Sequence, residues 1–181
     1  TDSPLSLTRV RIVDSFAGTS STLGAVRGGA IDSSGTLTIQ DSLFFANNAN
    51  APPGATSEGG AIYSTGTLTI SGTTFHGNGA FPTGFGSSGS RGGAIFLDGS
   101  ATITNSTITN NGALELSGGR GGAGIFVRNT ATLVLNNVTL TLNYNESGIV
   151  REAGGAGTVT LRNSILAGNF GVLTVANEPS D

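Results

Sequence analysis

Apolar and small polar residues alternate along most of the chain, in stretches of only about five residues. Residues 35–39, 66–70 and 99–103 show the pattern most clearly. A period of two places successive side chains on opposite faces of a strand, so each stretch predicts a strand with one buried face. Glycine-rich segments separate the stretches and are typical of turns. The chain is therefore expected to consist of many short strands and turns.

The same pattern recurs about five times. Gly-Gly-Ala-Ile occurs at 28–31, 59–62 and 92–95, at spacings of 31 and 33 residues, and a slipped copy follows at 121–125. A repeat of this length cannot bury its own apolar face, so neighbouring repeats must stack on one another. The repeats predict a solenoid that forms one domain over residues 1–181.

Alignment of the repeats gives columns of similar residues. The apolar columns begin at Leu5, Leu7, Ile12 and Ile31. A further column is almost entirely asparagine: Ser15, Asn47, Asn78, Asn111, Asn143 and Asn169. Such columns indicate stacked rungs that pair in parallel around a bore filled with Val, Ile and Leu. This predicts an all-β fold, a parallel β-helix or β-solenoid, with five to six rungs of about 32 residues.

The asparagine column and the glycine pairs both have a structural interpretation. Asparagine tolerates a left-handed backbone at a tight corner, and its amide can bond to the asparagine one rung away. The glycine pairs suit a second corner, where a Cβ would not fit. Between these corners run long connections rich in Gly, Ser, Ala and Pro, which we expect to be loops emerging on one edge. Loops on a rigid scaffold are a natural place for a binding surface.

Composition excludes several classes of function. The net charge is −3, only 10% of the residues are charged, and there is no Cys. The arginines are scattered, which gives no support for nucleic-acid binding. No segment approaches the roughly 20 apolar residues of a membrane span. Because the chain starts at Thr1 and contains no Met, we expect a processed or excised chain without its signal peptide.

The repeats resemble those of the polymorphic outer membrane proteins, a family of bacterial adhesins. Their signature combines GGA-I with F-x-x-N, and residues 59–62 with 75–78 are the cleanest copy. Residues 102–107 and 159–169 are similar to the wider group of large secreted bacterial β-helix proteins. The resemblance implies a single-stranded right-handed parallel β-helix, exported to the cell surface or the extracellular space and often adhesive. A glycan or a cell-surface receptor is the partner it implies.

Catalysis is the main alternative, because polysaccharide lyases and hydrolases also use β-helices. Such enzymes need converging carboxylates, often with Ca²⁺. The 11 acidic residues here are dispersed, and His76 has no second histidine with which to share a metal. We therefore expect no enzymatic activity, cofactor or metal site.

Two outward columns are candidate binding surfaces. The aromatic column Tyr63, Phe96 and Phe126 suits sugar rings or a protein if exposed, although the long loops would bury it if they fold over it. Phe81 and Phe85 in the longest connection would then form either that cover or a contact tip. The second column pairs threonines, as in Thr36 and Thr38 or Thr67 and Thr69. Flat threonine arrays resemble ice-binding solenoids, but threonine is also an ordinary solvent-facing strand residue.

Two further patterns are ambiguous. Arg27, Glu58 and Arg91 share one slot of the repeat and predict an ion-pair ladder, with Arg120 one residue away. Asn105, Asn137 and Asn145 begin N-glycosylation patterns that are equally expected by chance in so Asn- and Thr-rich a chain.

The chain starts and stops part-way through a rung. Leu5 and Leu7 align with an internal strand, and Val172 and Val175 belong to a strand where Ile149 stood one rung before. One tail and the next head would complete a rung, a contact that does not close on itself and builds a filament. We expect a structural or adhesive protein that stacks head to tail, or one segment of a longer solenoid with neighbouring β-helix segments at its ends.

Overall fold

A computed structural model describes residues 3–18, 24–83, 89–114, 121–152, 154 and 156–175. Within these ranges the chain forms strands and no helix. In chain order the strands are β1 (Leu5–Thr8), β2 (Arg11–Val13), β3 (Phe16–Gly18), β4 (Ala25–Arg27), β5 (Ile31–Ser33), β6 (Thr36–Gln40), β7 (Leu43–Phe45), β8 (Asn48–Ala51), β9 (Thr56–Glu58), β10 (Ile62–Ser64), β11 (Thr67–Ser71), β12 (Thr74–His76), β13 (Gly79–Pro82), β14 (Gly89–Arg91), β15 (Ile95–Leu97), β16 (Ser100–Thr104), β17 (Thr107–Thr109), β18 (Gly112–Ala113), β19 (Ile125–Val127), β20 (Thr132–Asn136), β21 (Thr139–Thr141), β22 (Ser147–Arg151), β23 (Thr158–Arg162), β24 (Ile165–Ala167) and β25 (Gly171–Val175).

Three parallel sheets of six strands run the length of the solenoid. The first sheet is β1-β6-β11-β16-β20-β23, the second is β2-β7-β12-β17-β21-β24, and the third is β5-β10-β15-β19-β22-β25. Each rung contributes one strand to each sheet, so the described residues contain six rungs. The predicted all-β parallel β-helix of five to six rungs is confirmed.

The register between rungs matches the apolar columns of the sequence. Leu37 pairs with Leu5 on one side and Leu68 on the other, and Phe44 pairs with Phe75. Inward side chains of the three sheets form one buried cluster. Within it the rings of Phe44 and Phe75 stack with their centroids 4.9 Å apart. One continuous core therefore runs through the rungs, as expected when each repeat buries the face of the next.

A ladder of asparagine side chains follows the corner after the second sheet. The Nδ2 of Asn47 donates to Oδ1 of Asn78 at 2.9 Å, and the same bond repeats from Asn78 to Asn111, from Asn111 to Asn143 and from Asn143 to Asn169. Each acceptor oxygen also receives the backbone N–H of the asparagine below, at 3.0 Å for Asn47. The amides of Asn47, Asn78, Asn111 and Asn143 are buried, so each ladder step satisfies groups that would otherwise lack a partner.

The predicted hydrogen bonding is confirmed, but the backbone role assigned to asparagine is wrong. The left-handed residue is the one before the ladder position: Asp14, Ala46, Gly77, Asn110, Leu142 and Gly168. Their φ angles lie between 54° and 66°. The backbone turns before the asparagine, which leaves the amide aligned with the solenoid axis for bonding to the next rung.

A second ladder, of hydroxyl groups that were not predicted from the sequence, follows the corner between the first and second sheets. The backbone N–H of Ser42 donates to Oγ1 of Thr73 at 3.3 Å, and that of Thr73 donates to Oγ of Ser106 at 3.2 Å. Each hydroxyl in turn donates to a carbonyl two residues back, such as Thr73 to Ser71 at 2.9 Å. At this corner too, side chains supply the bonds that strands supply elsewhere.

The glycine pairs form the corner before the third sheet, as predicted. In the three regular copies the first glycine of the pair has a positive φ, such as 72° at Gly59, and a Cβ there would collide with the carbonyl oxygen of Ile62. A Cβ on the second, Gly60, would collide with the backbone of the neighbouring rung. One glycine therefore allows the turn, and the other allows the rungs to approach.

The long connections are more regular than predicted. They leave the core as the outgoing sheet β3-β8-β13-β18 and come back as the return sheet β4-β9-β14. Val26 of the return sheet packs with Ala49 and Ala51 of the outgoing sheet in a small separate core. The prediction that these connections are loops was wrong, because one alanine from each rung stacks on the next once the rungs are in register, as Ala17, Ala49, Ala80 and Ala113 do. We call this projection, formed by both sheets, the arm.

Replacement of Phe75 by Ala is expected to lower the free energy of unfolding by about 3–5 kcal/mol, because the ring is fully buried and stacked on Phe44. Reversible chemical denaturation measures the change. Phe45→Ala is the matched control, since that ring is 39% exposed and its loss is expected to cost under about 1 kcal/mol. Equal effects of the two variants would contradict the assigned register.

Replacement of Asn78 by Asp is expected to destabilise the fold more at neutral than at acidic pH. The carboxylate cannot donate to Oδ1 of Asn111 or to the carbonyl of Phe44, so the folded state raises the pKa of the new group above its unfolded value of about 3.9. Relative to the parent chain, the Asn78→Asp variant is therefore most stable below about pH 4 and loses stability as the pH rises through the raised pKa. Denaturation at several pH values measures the free energy of unfolding, and Asn129→Asp at an exposed position is the control. A difference in unfolding free energy between the two variants that does not change with pH would argue against the ladder.

Candidate functional site

The predicted aromatic column is in register but is not exposed. Phe96 pairs with Tyr63 and Phe126 across the rungs, and the rings stack with centroids 5.1 and 5.2 Å apart. Their exposed fractions are only 4%, 0% and 2%, and Val150 completes the cluster. The prediction that this column offers a binding surface is therefore wrong for the protein as it is folded.

Arginine side chains cover these rings. The guanidinium of Arg27 lies 4.6 Å from the ring centroid of Tyr63, and that of Arg91 lies 5.3 Å from the centroid of Phe126. Both arginines end return strands, so the alternative that the long connections bury the column is the one the structure supports. Cations over desolvated aromatic faces stabilise such packing. Burial also raises the pKa of the Tyr63 hydroxyl above its ordinary value.

The predicted ion-pair ladder is formed in part. Nε of Arg27 lies 3.2 Å from Oε2 of Glu58, whose side chain is only 7% exposed. Arg91 pairs with Glu58 in backbone register, but its guanidinium lies over Phe126. Arg120 lies outside the described residues. Arg27, Glu58 and Arg91 occupy the same position of the repeat, and the two arginines at this position cover the aromatic column while Arg27 also pairs with Glu58.

Other carboxylates are also engaged with arginine. Nη1 of Arg128 lies 3.3 Å from Oδ2 of Asp98, and its Nε lies 3.9 Å from Oε2 of Glu152. The guanidinium of Arg128 also lies 5.9 Å from the ring centroid of Phe96. His76 stacks on Phe45 with centroids 5.4 Å apart. Among the described residues, no group of three His, Cys, Asp or Glu side chains is placed to hold a metal ion.

Several exposed aromatic side chains lie on the outgoing sheet or continue its columns beyond β18. Phe16 is 65% exposed, Tyr144 is 43% exposed and Phe170 is 80% exposed, while Phe81 is half-buried with its centroid 6.4 Å from that of Tyr144. Of these four, only Phe81 was predicted from the sequence as a candidate contact; its companion Phe85 lies outside the described residues. The missed signal is positional, since Phe16, Tyr144 and Phe170 each directly follow a position of the asparagine column.

The threonine pairs lie where predicted, on the outer face of the first sheet. Thr36 pairs with Thr67 and Thr38 with Thr69, in register across the rungs. Thr67 and Thr69 are exposed. Val134 interrupts the column opposite Thr102. The face is flat, uncharged over these positions and open to solvent, which is equally the expected state of an ordinary solvent-facing sheet.

The end residues of the solenoid are partly open. Leu5 is 44% exposed and Leu7 is half-buried on the first rung. On the last rung Leu161, which was not among the predicted assembly residues, is 40% exposed. Val172 and Val175 lie in β25, whose backbone pairs with β22, but their side chains lie outside the described residues.

Replacement of Phe96 by Ala is expected to destabilise the fold by about 3–5 kcal/mol, because it empties the centre of the buried column and removes the ring beneath Arg128. Denaturant unfolding measures the effect. The same change at Phe170, a ring that is 80% exposed, serves as control and is expected to cost under about 1 kcal/mol. If the Phe96 variant were as stable as the Phe170 variant, the result would contradict the burial of the aromatic column.

Comparison with known proteins agrees with this architecture. Residues 26–180 match the family model described as a right handed beta helix region. No curated protein and no solved structure matches the chain significantly. The described residues include no helix of the length and apolar character that crossing a membrane requires. Since the match covers most of the chain, the protein belongs to the right-handed β-helix family.

Proposed function

We propose that this protein is a non-catalytic structural element of the cell surface or extracellular space, whose solenoid stacks end to end on a second copy. The observation that carries the proposal is the similarity of its two ends. The first rung presents β1, β2 and β5, and the last presents β23, β24 and β25. Within the described residues each of these strands pairs on one side only.

The side chains at the two ends belong to the same columns. A copy placed below β23 would bring Leu7 against Leu161 and Ile12 against Leu166, two pairs that continue the bore. Ser15 of that copy would lie next to Asn169. Its hydroxyl can accept a hydrogen bond from the backbone N–H of Asn169, just as Oδ1 of Asn169 accepts the backbone N–H of Asn143. Such a contact is head to tail and does not close, so it builds a filament.

A surface location is supported by the resemblance to adhesin repeats. A non-catalytic role is supported by the engagement of Glu58, Asp98 and Glu152 with arginines that cover the aromatic column. These carboxylates act in packing and would need to leave their partners to take part in acid–base chemistry.

Sedimentation velocity and electron microscopy of the purified chain test the assembly. We expect filaments with an axial repeat of about 29 Å, from six rungs about 4.8 Å apart. Leu161→Asp is expected to abolish them, because it places a charge in the bore contact. Thr69→Asp, exposed at mid-solenoid, is the matched control and should leave them intact.

A monodisperse monomer at high concentration, unaffected by either substitution, would contradict self-association. The end strands would then be expected to pair with neighbouring β-helix segments. Closed rings or side-by-side rafts that form equally in the Leu161 variant would instead place the contact on a lateral face.

A further inference from the structure

Three exposed arginines on the terminal rungs have no acidic or aromatic partner among the described residues. Arg9 and Arg11 lie on the first rung and Arg162 lies on the last, and we call them the terminal arginines. None of them forms an ion pair or lies over a ring within the part of the chain that the structure describes. Arg27 and Arg128, which lie between the ends, each contact a carboxylate and an aromatic ring. The terminal arginines are therefore open to a partner from outside the chain.

The end-to-end contact would bring the terminal arginines of two copies to one corner. One column of the first sheet consists of Thr8, Gln40, Ser71, Thr104, Asn136 and Arg162. Thr8 of a second copy would therefore follow Arg162 at the contact, and Arg9 is the next residue of that copy. With rungs about 4.8 Å apart and a rise of about 3.3 Å per residue, the Cα atoms of Arg162 and Arg9 would lie about 6 Å apart. Arg11 begins the strand that follows the same corner.

None of the described carboxylates pairs with these arginines. Residues 156–175, which hold the strands of the last rung, contain no Asp or Glu. Asp41 lies one rung farther in than Arg9, but a Cβ added to Gly72 of the third rung would collide with its Oδ1, so the carboxylate leans away from the first rung. Asp14, on the first rung, forms no ion pair with a described residue. The contact therefore gathers like charges, and their repulsion opposes assembly.

We propose that the end-to-end contact holds a small multivalent oxyanion of the phosphate or sulfate type, and that this anion promotes assembly. The site exists only if copies stack as proposed above, because it takes Arg162 from one copy and Arg9 and Arg11 from the next. A guanidinium presents a planar fork of N–H donors that binds two oxygens of a phosphate or sulfate group at once. An anion held between two copies therefore replaces the repulsion between arginines by charge-assisted hydrogen bonds.

The other groups at the corner and its spacing also favour a small anion. Asn163 directly follows Arg162, is exposed, and makes no side-chain hydrogen bond to a described residue, so its amide can donate to an oxyanion oxygen. Guanidinium groups supply donors and no acceptor, which selects an anion over a cation. The corner recurs once in each copy, about every 29 Å along six rungs, whereas a polyanion such as nucleic acid carries closely spaced charges.

Sedimentation velocity in matched salts tests the proposal. The purified chain is compared at neutral pH in sodium chloride, sodium sulfate and sodium phosphate of equal ionic strength. Each salt is kept at a few millimolar, so that screening is equal and the general stabilising effect of sulfate and phosphate is small. We expect filaments to form in sulfate or phosphate at a protein concentration about fivefold lower than in chloride, the scale of one exposed charge interaction.

Arg162→Gln separates a bound anion from a general effect of salt. The substitution removes both the repulsion and a ligand of the anion, so filaments of this variant should form at the same protein concentration in chloride and in sulfate. Thr69→Asp is the matched control, because it changes the net charge by the same amount at an exposed position in mid-solenoid and should keep the preference for sulfate. Thermal unfolding checks that both variants are folded, which the exposure of Arg162 and Thr69 favours.

Filaments of the parent chain that form equally well in all three salts would overturn the anion site and leave end-to-end stacking intact. That result is expected if Asp2, Glu178 or Asp181, which lie outside the described residues, neutralise the corner. A preference for sulfate that persists in the Arg162 variant would also overturn the site, because it would then be a general salt effect. Absence of filaments in every salt would contradict the stacking itself, and with it the site.

Discussion

The asparagine ladder is the interaction on which the rest of the structure depends. Strand pairing in the three long sheets holds the rungs together but does not satisfy the backbone N–H at the asparagine position of each rung. Asn47, Asn78, Asn111 and Asn143 do this from buried positions, each accepting a backbone N–H and donating to the next amide. Because an unpaired buried amide costs about 1–3 kcal/mol, a slip of one residue is penalised at every rung at once.

Fixed register has consequences beyond the core. It brings like residues of the long connections together, so alanines stack into the outgoing sheet and arginines line up at the ends of the return strands. Arg27 and Arg91 then lie over the aromatic column on the outside of the third sheet. The arm is thus held by packing on both sides, although its sequence is as glycine-rich as a loop.

The surfaces left for function follow from the same geometry. A solenoid has two ends and several lateral faces, and shared fold does not decide which one is used. Here the ends expose Leu5 and Leu161, while a lateral face exposes the side chains of Phe16, Tyr144 and Phe170. The ends are suited to growth along the axis, which would leave that lateral face uncovered.

By itself the sequence determined the rung length, the bore columns, the asparagine ladder and the glycine corner, because each is repeated and repetition reveals which positions stack. Exposure was decided only by the tertiary structure. Tyr63, Phe96 and Phe126 alternate outward from the bore, yet arginines from other segments bury them. Phe16, Tyr144 and Phe170 each follow a position of the asparagine column, yet only the folded structure shows that their side chains stay exposed. Alternation shows which side of a strand a residue faces, whereas what covers that side depends on contacts between residues far apart in the chain.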